Sequence, residues 1–194
     1  LNTDFLYDEG EADWPNKVHC GNGGIYLEGY KNFDALGMLA ADHPELVEQN
    51  RTTIDDYYAR LDGDLNHLPS PRETVSDVIC DFGHLPYDAD TVSKIVSIQS
   101  LEHVTPGQGR LTLMHWWDIL RPGGVLIISV PDVPETVQLL KSWETLHFGI
   151  RHLEGSGKNV LSKHISWYSR DSLIEILDEF GFNNIQVLPN FHIY

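Results

Sequence analysis

At 194 residues, with 22% charged and 41% hydrophobic, the chain has the length of one domain and the composition of a folded protein, which excludes wholesale disorder. Its 29 acidic residues outweigh 13 basic ones for a formal net charge of −16, and no basic stripe offsets them, so nucleic acid is not an expected partner. No stretch approaches the roughly 20 apolar residues of a membrane span, and no basic-then-apolar leader opens the sequence.

Residues 1–16 are acid-rich and aperiodic and read as an irregular arm; Leu1 is not a natural start, so the native N-terminus is expected upstream. Residues 17–20 predict a short strand that runs into Gly21-Asn22-Gly23-Gly24. Glycines directly after a strand permit positive-φ turns and a close backbone approach to a ligand, although a plain turn has the same composition. Residues 30–33 predict a second strand ending at Asp34. Only 25–29 lie between, whereas a parallel crossover normally needs about a dozen residues. Either the crossover helix is reduced to a turn, or the two strands are not parallel neighbours.

Residues 42–61 are polar and helical in composition, with Pro44 at the start and Glu45, Leu46, Tyr57, Tyr58 and Leu61 giving an amphipathic pattern. Together with the loop that follows they form an expected helical insertion over 42–72. Residues 75–80 predict a third strand, ending at Asp81. The stretch 92–132 then reads as strand, loop, helix, turn and strand. Residues 94–98 are β-branched and alternating, and Thr105-Pro106 is a cap followed by proline at the first helical position. Leu113, Trp117 and Leu120 recur at helical spacing until Gly123-Gly124, and 125–130 is an apolar run typical of a strand buried on both faces. Two such strands joined by one helix make a right-handed crossover unit.

Asp132 and Pro134 start a helix through Leu140. Within 141–168, the residues His147, Arg151, His152, Gly155 and Gly157 mark an irregular, lid-like segment. Ser169 caps a last helix with Leu173, Ile176, Leu177 and Phe180 on one face and Gly181 closing it; 184–188 predict a final strand, and 191–194 the start of another. There is no repeat or linker, so 1–194 is read as a single domain. Cys20 and Cys80 are expected to be buried free thiols of a reducing compartment, and the expected location is cytoplasmic.

Ligands of open parallel sheets bind beyond the carboxyl ends of the strands, at the switch point. Four polar features fall at such ends: the 21–24 glycines, Asp34, Asp81, and Gln99-Ser100. An acid after the second strand suits the two hydroxyls of a ribose, and one after the third suits an adenine amino group. The pattern is that of a nucleoside-binding sheet.

At this point the sequence resembles class I S-adenosylmethionine-dependent methyltransferases of the small-molecule methyltransferase group. The segments that carry the likeness are Asp81-Phe82-Gly83-His84-Leu85-Pro86-Tyr87-Asp88, SIQSLEH over 97–103, Leu120-Arg121-Pro122-Gly123-Gly124, Ile128-Ser129-Val130-Pro131, and HISWYSRDSLIEILDEFGFNNI over 164–185. The resemblance implies an α/β fold, a three-layer Rossmann-like sandwich with a mostly parallel six- to seven-stranded sheet and helices on both faces. It implies S-adenosylmethionine as cofactor, with Gly21, Asn22 and Gly23 at its methionine end, Asp34 on the ribose, Asp81 on the adenine with Phe82 beside the ring, and Gln99 where the fourth strand meets the cofactor. Two departures stand out. His19 stands where the family usually has an acid that holds the methionine ammonium through water. The first crossover helix is nearly absent, as in related methyltransferases with a shortened Gly-Tyr-x-Asn-x-Asp segment, here Gly29 to Asp34; that similarity favours the reduced-turn option above.

Ten histidines invite a metal reading, yet no HExxH or CxxC spacing occurs, and no metal is expected. His103 and His164 are the candidate bases for an acceptor hydroxyl, since imidazole titrates near working pH. Trp143, Phe148, Trp167 and Tyr168 are candidate acceptor-pocket residues, with core packing as the other explanation. The expected acceptor is a small polar molecule bearing an oxygen nucleophile, a sugar or sugar-linked metabolite. The rival expectation is a cofactor-binding module without catalysis, motivated by His19 and the trimmed crossover.

Overall fold

The computed structural model describes residues 15–56, 72–157 and 159–188, and here the apolar stretches assemble into a parallel sheet. Strands β1 (Lys17–Cys20), β3 (Lys31–Asp34), β7 (Val78–Ile79), β8 (Val92–Ile98) and β9 (Leu120–Ser129) pair in the order β7-β3-β1-β8-β9. Two smaller parallel pairs join β2 (Tyr26–Leu27) to β5 (Arg51–Thr52) and β4 (Met38–Leu39) to β6 (Val75–Ser76). The sheet has five strands rather than the six or seven expected, but it is wholly parallel and flanked by helices.

β1 and β3 are parallel neighbours, so the crossover is indeed reduced to a turn. Asn32 explains how so short a connection is satisfied. Its Oδ1 accepts from the Leu27 amide at 2.9 Å, and its Nδ2 donates to the carbonyls of Leu27 and Tyr30, each at 3.1 Å. One buried side chain thus meets backbone groups that a helix would have paired internally.

The unit from β8 to β9 forms as its sequence indicates. Helix α2 (Pro106–Ile119) starts with a capping box in which the Thr105 side chain accepts from the Gln108 amide. Its buried stripe is Leu113, Trp116 and Ile119, not the Leu113–Trp117–Leu120 line expected; Trp117 is 43% exposed and packs on Phe182. Two adjacent tryptophans fit the i+3 and i+4 positions equally well, and the choice is made by Trp116 Nε1, which donates to the Phe82 carbonyl at 3.0 Å. Truncating Trp116 to alanine would cost about 3–5 kcal/mol as a buried aromatic. Residues 121–124 bulge out of β9: Val92 faces Leu120 but Lys94 faces Val125, with Gly123 at φ +76° in the turn.

Along β8, Ile95 packs in the larger core with Leu113, Trp116, Ile119 and Leu177, while Val96 and Ile98 pack on the opposite face with Leu27 and Tyr30. Helix α5 (Arg170–Glu179) presents Leu173, Ile176 and Leu177 to the larger core, with Ser169 as its cap and Gly181 at φ +92° past its end. Cys20 and Cys80 are buried free thiols.

Five expectations need correction. The strand at 75–80 divides at Asp77, whose carboxylate accepts from Asn32 N and Tyr26 Oη, so β6 and β7 pair with different strands. Residues 125–130 are only half-buried, because no described strand pairs beyond β9. The segment 184–188 is not a strand: Val187 and Leu188 are more than half exposed, and among the described residues nothing encloses a second face to hold it on β9. The expected long helix is a short one, α1 (Pro44–Asn50), followed by β5; Tyr57, Tyr58, Leu61 and the strand start at 191–194 lie outside the described residues. The lid-like segment holds a regular helix, α4 (Leu146–Glu154), packed with α3 (Val133–Leu139).

Candidate functional site

Parallel strands end on one side of the sheet, and the register fixes the level at which they end. Cys20 lies beside Phe33 and Ser97, Phe33 beside Val78, and Ser97 beside Ile128. One residue further on, Gly21, Asp34 and Ile98 emerge together. Asp81 follows two residues after β7, and Gln99 directly after β8. The three steps from β7 to β8 span about 14 Å at the usual strand spacing, room for an adenosine and an amino-acid chain laid across them. The chain runs from β1 to one side and from β7 back to the other, so the switch point lies between β1 and β8.

The glycine turn is built from both flanks. Gly21 has φ +63°, and a Cβ there would collide with Ser100, whose Oγ donates to Gly21 O at 3.1 Å. Gly23 has φ +52° and open space where a Cβ would stand. Asn22 is buried, donates to the Val75 carbonyl at 3.0 Å, and accepts from Ser76 Oγ at 2.6 Å. It shapes the turn from within.

Asp34 closes the turn from the next strand. Its Oδ2 accepts from the Gly23 amide at 2.9 Å and its Oδ1 from the Leu36 amide at 3.0 Å. Burial raises its pKa, and these amides and the nearby His103 oppose the shift. Asp81 is exposed and accepts from the Gly83 amide at 2.8 Å. The Phe82 ring is 8% exposed and packs in the core against Trp116. Gln99 sits at φ +54°, half-buried, with its amide bonded to the Ser129 carbonyl. His19 is 1% exposed, and its Nδ1 donates to Asn32 Oδ1 at 3.0 Å; burial pulls its pKa down to about 4, so it is neutral. Its position in β1 joins it to the crossover. The glycine turn, the two acids and the open face at Gly23 fit S-adenosylmethionine, whose adenosine needs fixed acceptors and whose amino-acid end needs a close backbone.

The two candidate bases lie together. His103 belongs to the 3₁₀ turn Leu101–His103 after β8, and His164 follows the 3₁₀ turn Val160–Ser162. Their rings meet edge-on with centroids 4.8 Å apart. His103 Nδ1 lies 3.0 Å from the Lys163 carbonyl and His164 Nδ1 2.6 Å from the His152 carbonyl. Burial lowers the His164 pKa. Between β8 and these rings is Glu102, 1% exposed, which the sequence reading passed over; a three-residue turn has no periodicity to reveal that it points inward. Of the aromatic candidates, Trp143 is 88% and Trp167 58% exposed, and Tyr168 is a core residue.

A cavity of about 1130 Å³ lies elsewhere, along the outer side of β9 between α5 and 183–188. It touches none of the 21–24 glycines, neither acid and neither of the paired histidines, and it marks the place where a strand at 184–188 would have paired. The strand ends, where the acids and glycines converge, are the candidate site.

Residues 22–187 match the methyltransferase-domain family. No curated protein matches the chain. Among solved structures, the methyltransferase of Haloferax volcanii in complex with its Trm112 activator is similar at 20% identity and TM-score 0.46, over 85% of this chain and 60% of that one. An S-adenosylmethionine-dependent methyltransferase of Thermotoga maritima follows at 14% and 0.47, over 87% and 64%. A phosphoethanolamine N-methyltransferase of Haemonchus contortus, solved with phosphomonomethylethanolamine and S-adenosylhomocysteine, stands at 12% and 0.44, over 88% and 34%. The chain therefore spans less than two thirds of the length of each. Among the described residues no helix is long and apolar enough to cross a membrane. On the family match, the chain belongs to the class I S-adenosylmethionine-dependent methyltransferases.

Proposed function

We propose that this chain transfers the methyl group of S-adenosylmethionine to an oxygen of a small polar acceptor, a sugar or sugar-linked metabolite, in the cytoplasm. The observation that carries the reading is the edge-on His103–His164 pair, with His103 in the turn that follows β8 and near enough to Asp34 to bear on its charge. The cofactor, when bound, supplies a methyl group already activated on a sulfonium. The remaining work is positioning and one proton.

In this reading Asp34 takes the ribose hydroxyls, Asp81 the adenine amino group, and Gly21 to Gly23 the methionine end, with Gln99 flanking the sulfur side. Asn22 and the Phe82 backbone hold the loops, and His19 acts through Asn32 as a positioning residue. His103 or His164 takes the acceptor's hydroxyl proton on Nε2 as its oxygen bonds to the methyl carbon. Residues 141–168, with Arg151 and His147 on their exposed side, cover the acceptor; a polyol needs such a mixture of planar and hydrogen-bonding groups.

The test is incubation with methyl-labelled S-adenosylmethionine and a panel of sugars, nucleotide sugars, amines and carboxylates. Label should appear on a hydroxyl oxygen, and the double variant His103→Gln/His164→Gln should lose on the order of 10²–10⁴ in kcat. Label confined to amines, or a double variant with full activity, overturns the proposal.

A further inference from the structure

We propose that Glu102, His103 and His164 form a binding site for one divalent transition-metal ion of the zinc class. One donor atom from each lies within 4.8 Å of the other two. The protonation of both rings follows from their partners. A carbonyl oxygen only accepts, so His164 Nδ1, 2.6 Å from His152 O, carries a proton, as does His103 Nδ1, 3.0 Å from Lys163 O. In neutral rings that leaves a lone pair on each Nε2. Backbone carbonyls that fix Nδ1–H in this way are the usual outer support of metal-binding histidines.

The carboxylate supplies the independent observation. Glu102 is 1% exposed, and neither of its oxygens has a hydrogen-bond partner. Its near neighbour is His164 Nε2 at 3.8 Å, too far for a hydrogen bond. A buried, unpaired carboxylate facing a lone pair is unfavourable and needs a proton or a cation. Burial does push its pKa up, to about 8. A proton, however, satisfies one oxygen, whereas an ion would satisfy the carboxylate and take up the lone pairs of both rings.

The framework is already in place. The amides of Ile165 and Ser166 donate to the Glu102 backbone carbonyl at 2.9 and 3.1 Å, and Lys163 bridges to Gly155 across the turn. Tetrahedral zinc with bonds near 2.1 Å sets ligand atoms about 3.4 Å apart, so the 3.8 Å pair needs only a small contraction and His103 a rotation. Two imidazoles and one carboxylate suit zinc, cobalt or iron rather than calcium or magnesium, which take oxygen ligands. Three protein ligands leave a fourth position open on the half-buried His103 side. The catalytic consequence rests on the methyl-transfer reading above but changes the base: with both Nε2 atoms on the ion, the ion would hold the acceptor oxygen and lower the pKa of its hydroxyl, whose proton would pass to water rather than to either ring.

The test is calorimetric and optical titration of chelator-treated protein with Co²⁺, then Zn²⁺. One Co²⁺ per chain should bind with visible d–d absorption and be displaced by Zn²⁺. Glu102→Gln, nearly isosteric, and His103→Gln, at a half-buried position, should each weaken binding at least tenfold, whereas His43→Gln and His147→Gln should not. Thermal unfolding of each variant checks that it is folded. Absence of Co²⁺ binding, or binding indifferent to both ligand variants, overturns the site, and full methyl transfer by such ion-free protein would leave the free-base reading standing. Ion binding without methylation of any hydroxyl supports the site and overturns the acceptor reading instead.

Discussion

Replacing Asp34 by asparagine tests the placement of the cofactor with little change in shape. The carboxylate has about four lone-pair positions. Two are taken, by the Gly23 amide at 2.9 Å and the Leu36 amide at 3.0 Å, which leaves one on each oxygen for the two hydroxyls of a ribose. Asparagine keeps one oxygen and turns an NH₂ toward an amide donor and a hydroxyl on the other side. At least one hydrogen bond to a charged acceptor is lost, worth about 1.5–3 kcal/mol. At 1.4 kcal/mol per tenfold this weakens S-adenosylhomocysteine binding roughly 10- to 150-fold. Calorimetry reads the affinity, and thermal unfolding reads the separate loss from the broken tie to Gly23. Affinity within twofold of wild type, in a variant that remains folded, would refute the placement of the ribose at Asp34.

Asp81→Ala should weaken the same ligand by about 1–3 kcal/mol with little effect on stability, because Asp81 is exposed and its bond to the Gly83 amide is local; calorimetry with adenosine alone should show the same loss. His19 makes stability depend on acid. Its folded pKa of about 4 lies below the unfolded 6.5, so the stabilisation is whole above pH 6.5 and is lost as pH falls toward 4, by about 3 kcal/mol. Urea midpoints of wild type and His19→Gln across that range should converge in slope only if another group is responsible. Cys20 and Cys80 are buried, and burial raises both thiol pKa values, Cys80 to about 12, so neither should react with a thiol reagent until denaturant is added. Gly155→Ala, at φ +83° with its new Cβ driven against the Ser162 carbonyl, should lower stability by about 1–3 kcal/mol and broaden the His164 ring signals in NMR spectra.

The crossover from β8 to β9 was legible because each local signal agreed: a cap, a proline, an apolar stripe, glycines and two β-branched runs. The acids at strand ends were legible for a different reason, since a parallel sheet turns sequence position after a strand into spatial position at one edge. The misreadings share a cause. Trp116 and Trp117 are chosen between by a bond to Phe82, 34 residues away; Asp77 splits a strand because Asn32 and Tyr26 claim its carboxylate; Glu102 turns inward through the amides of Ile165 and Ser166. Each is decided by a partner distant in sequence, which neither propensity nor period encodes. The loss of a strand at 184–188 is similar, since an alternating pattern forms a strand only where something encloses its second face.

The Asn22 staple also bears on how the protein reaches its folded state. Its bonds to Val75 and Ser76 join residues 53 and 54 apart, and Arg72 adds a third tie to the Gly24 carbonyl. The glycine turn is therefore local in sequence but not in formation: the loop-closure entropy of half a hundred residues is spent before it takes shape. During synthesis the nascent chain holds all three glycines long before it holds the turn. The pocket edge they make should be among the last parts to gain protection from amide exchange in refolding, well after α2 and its two strands.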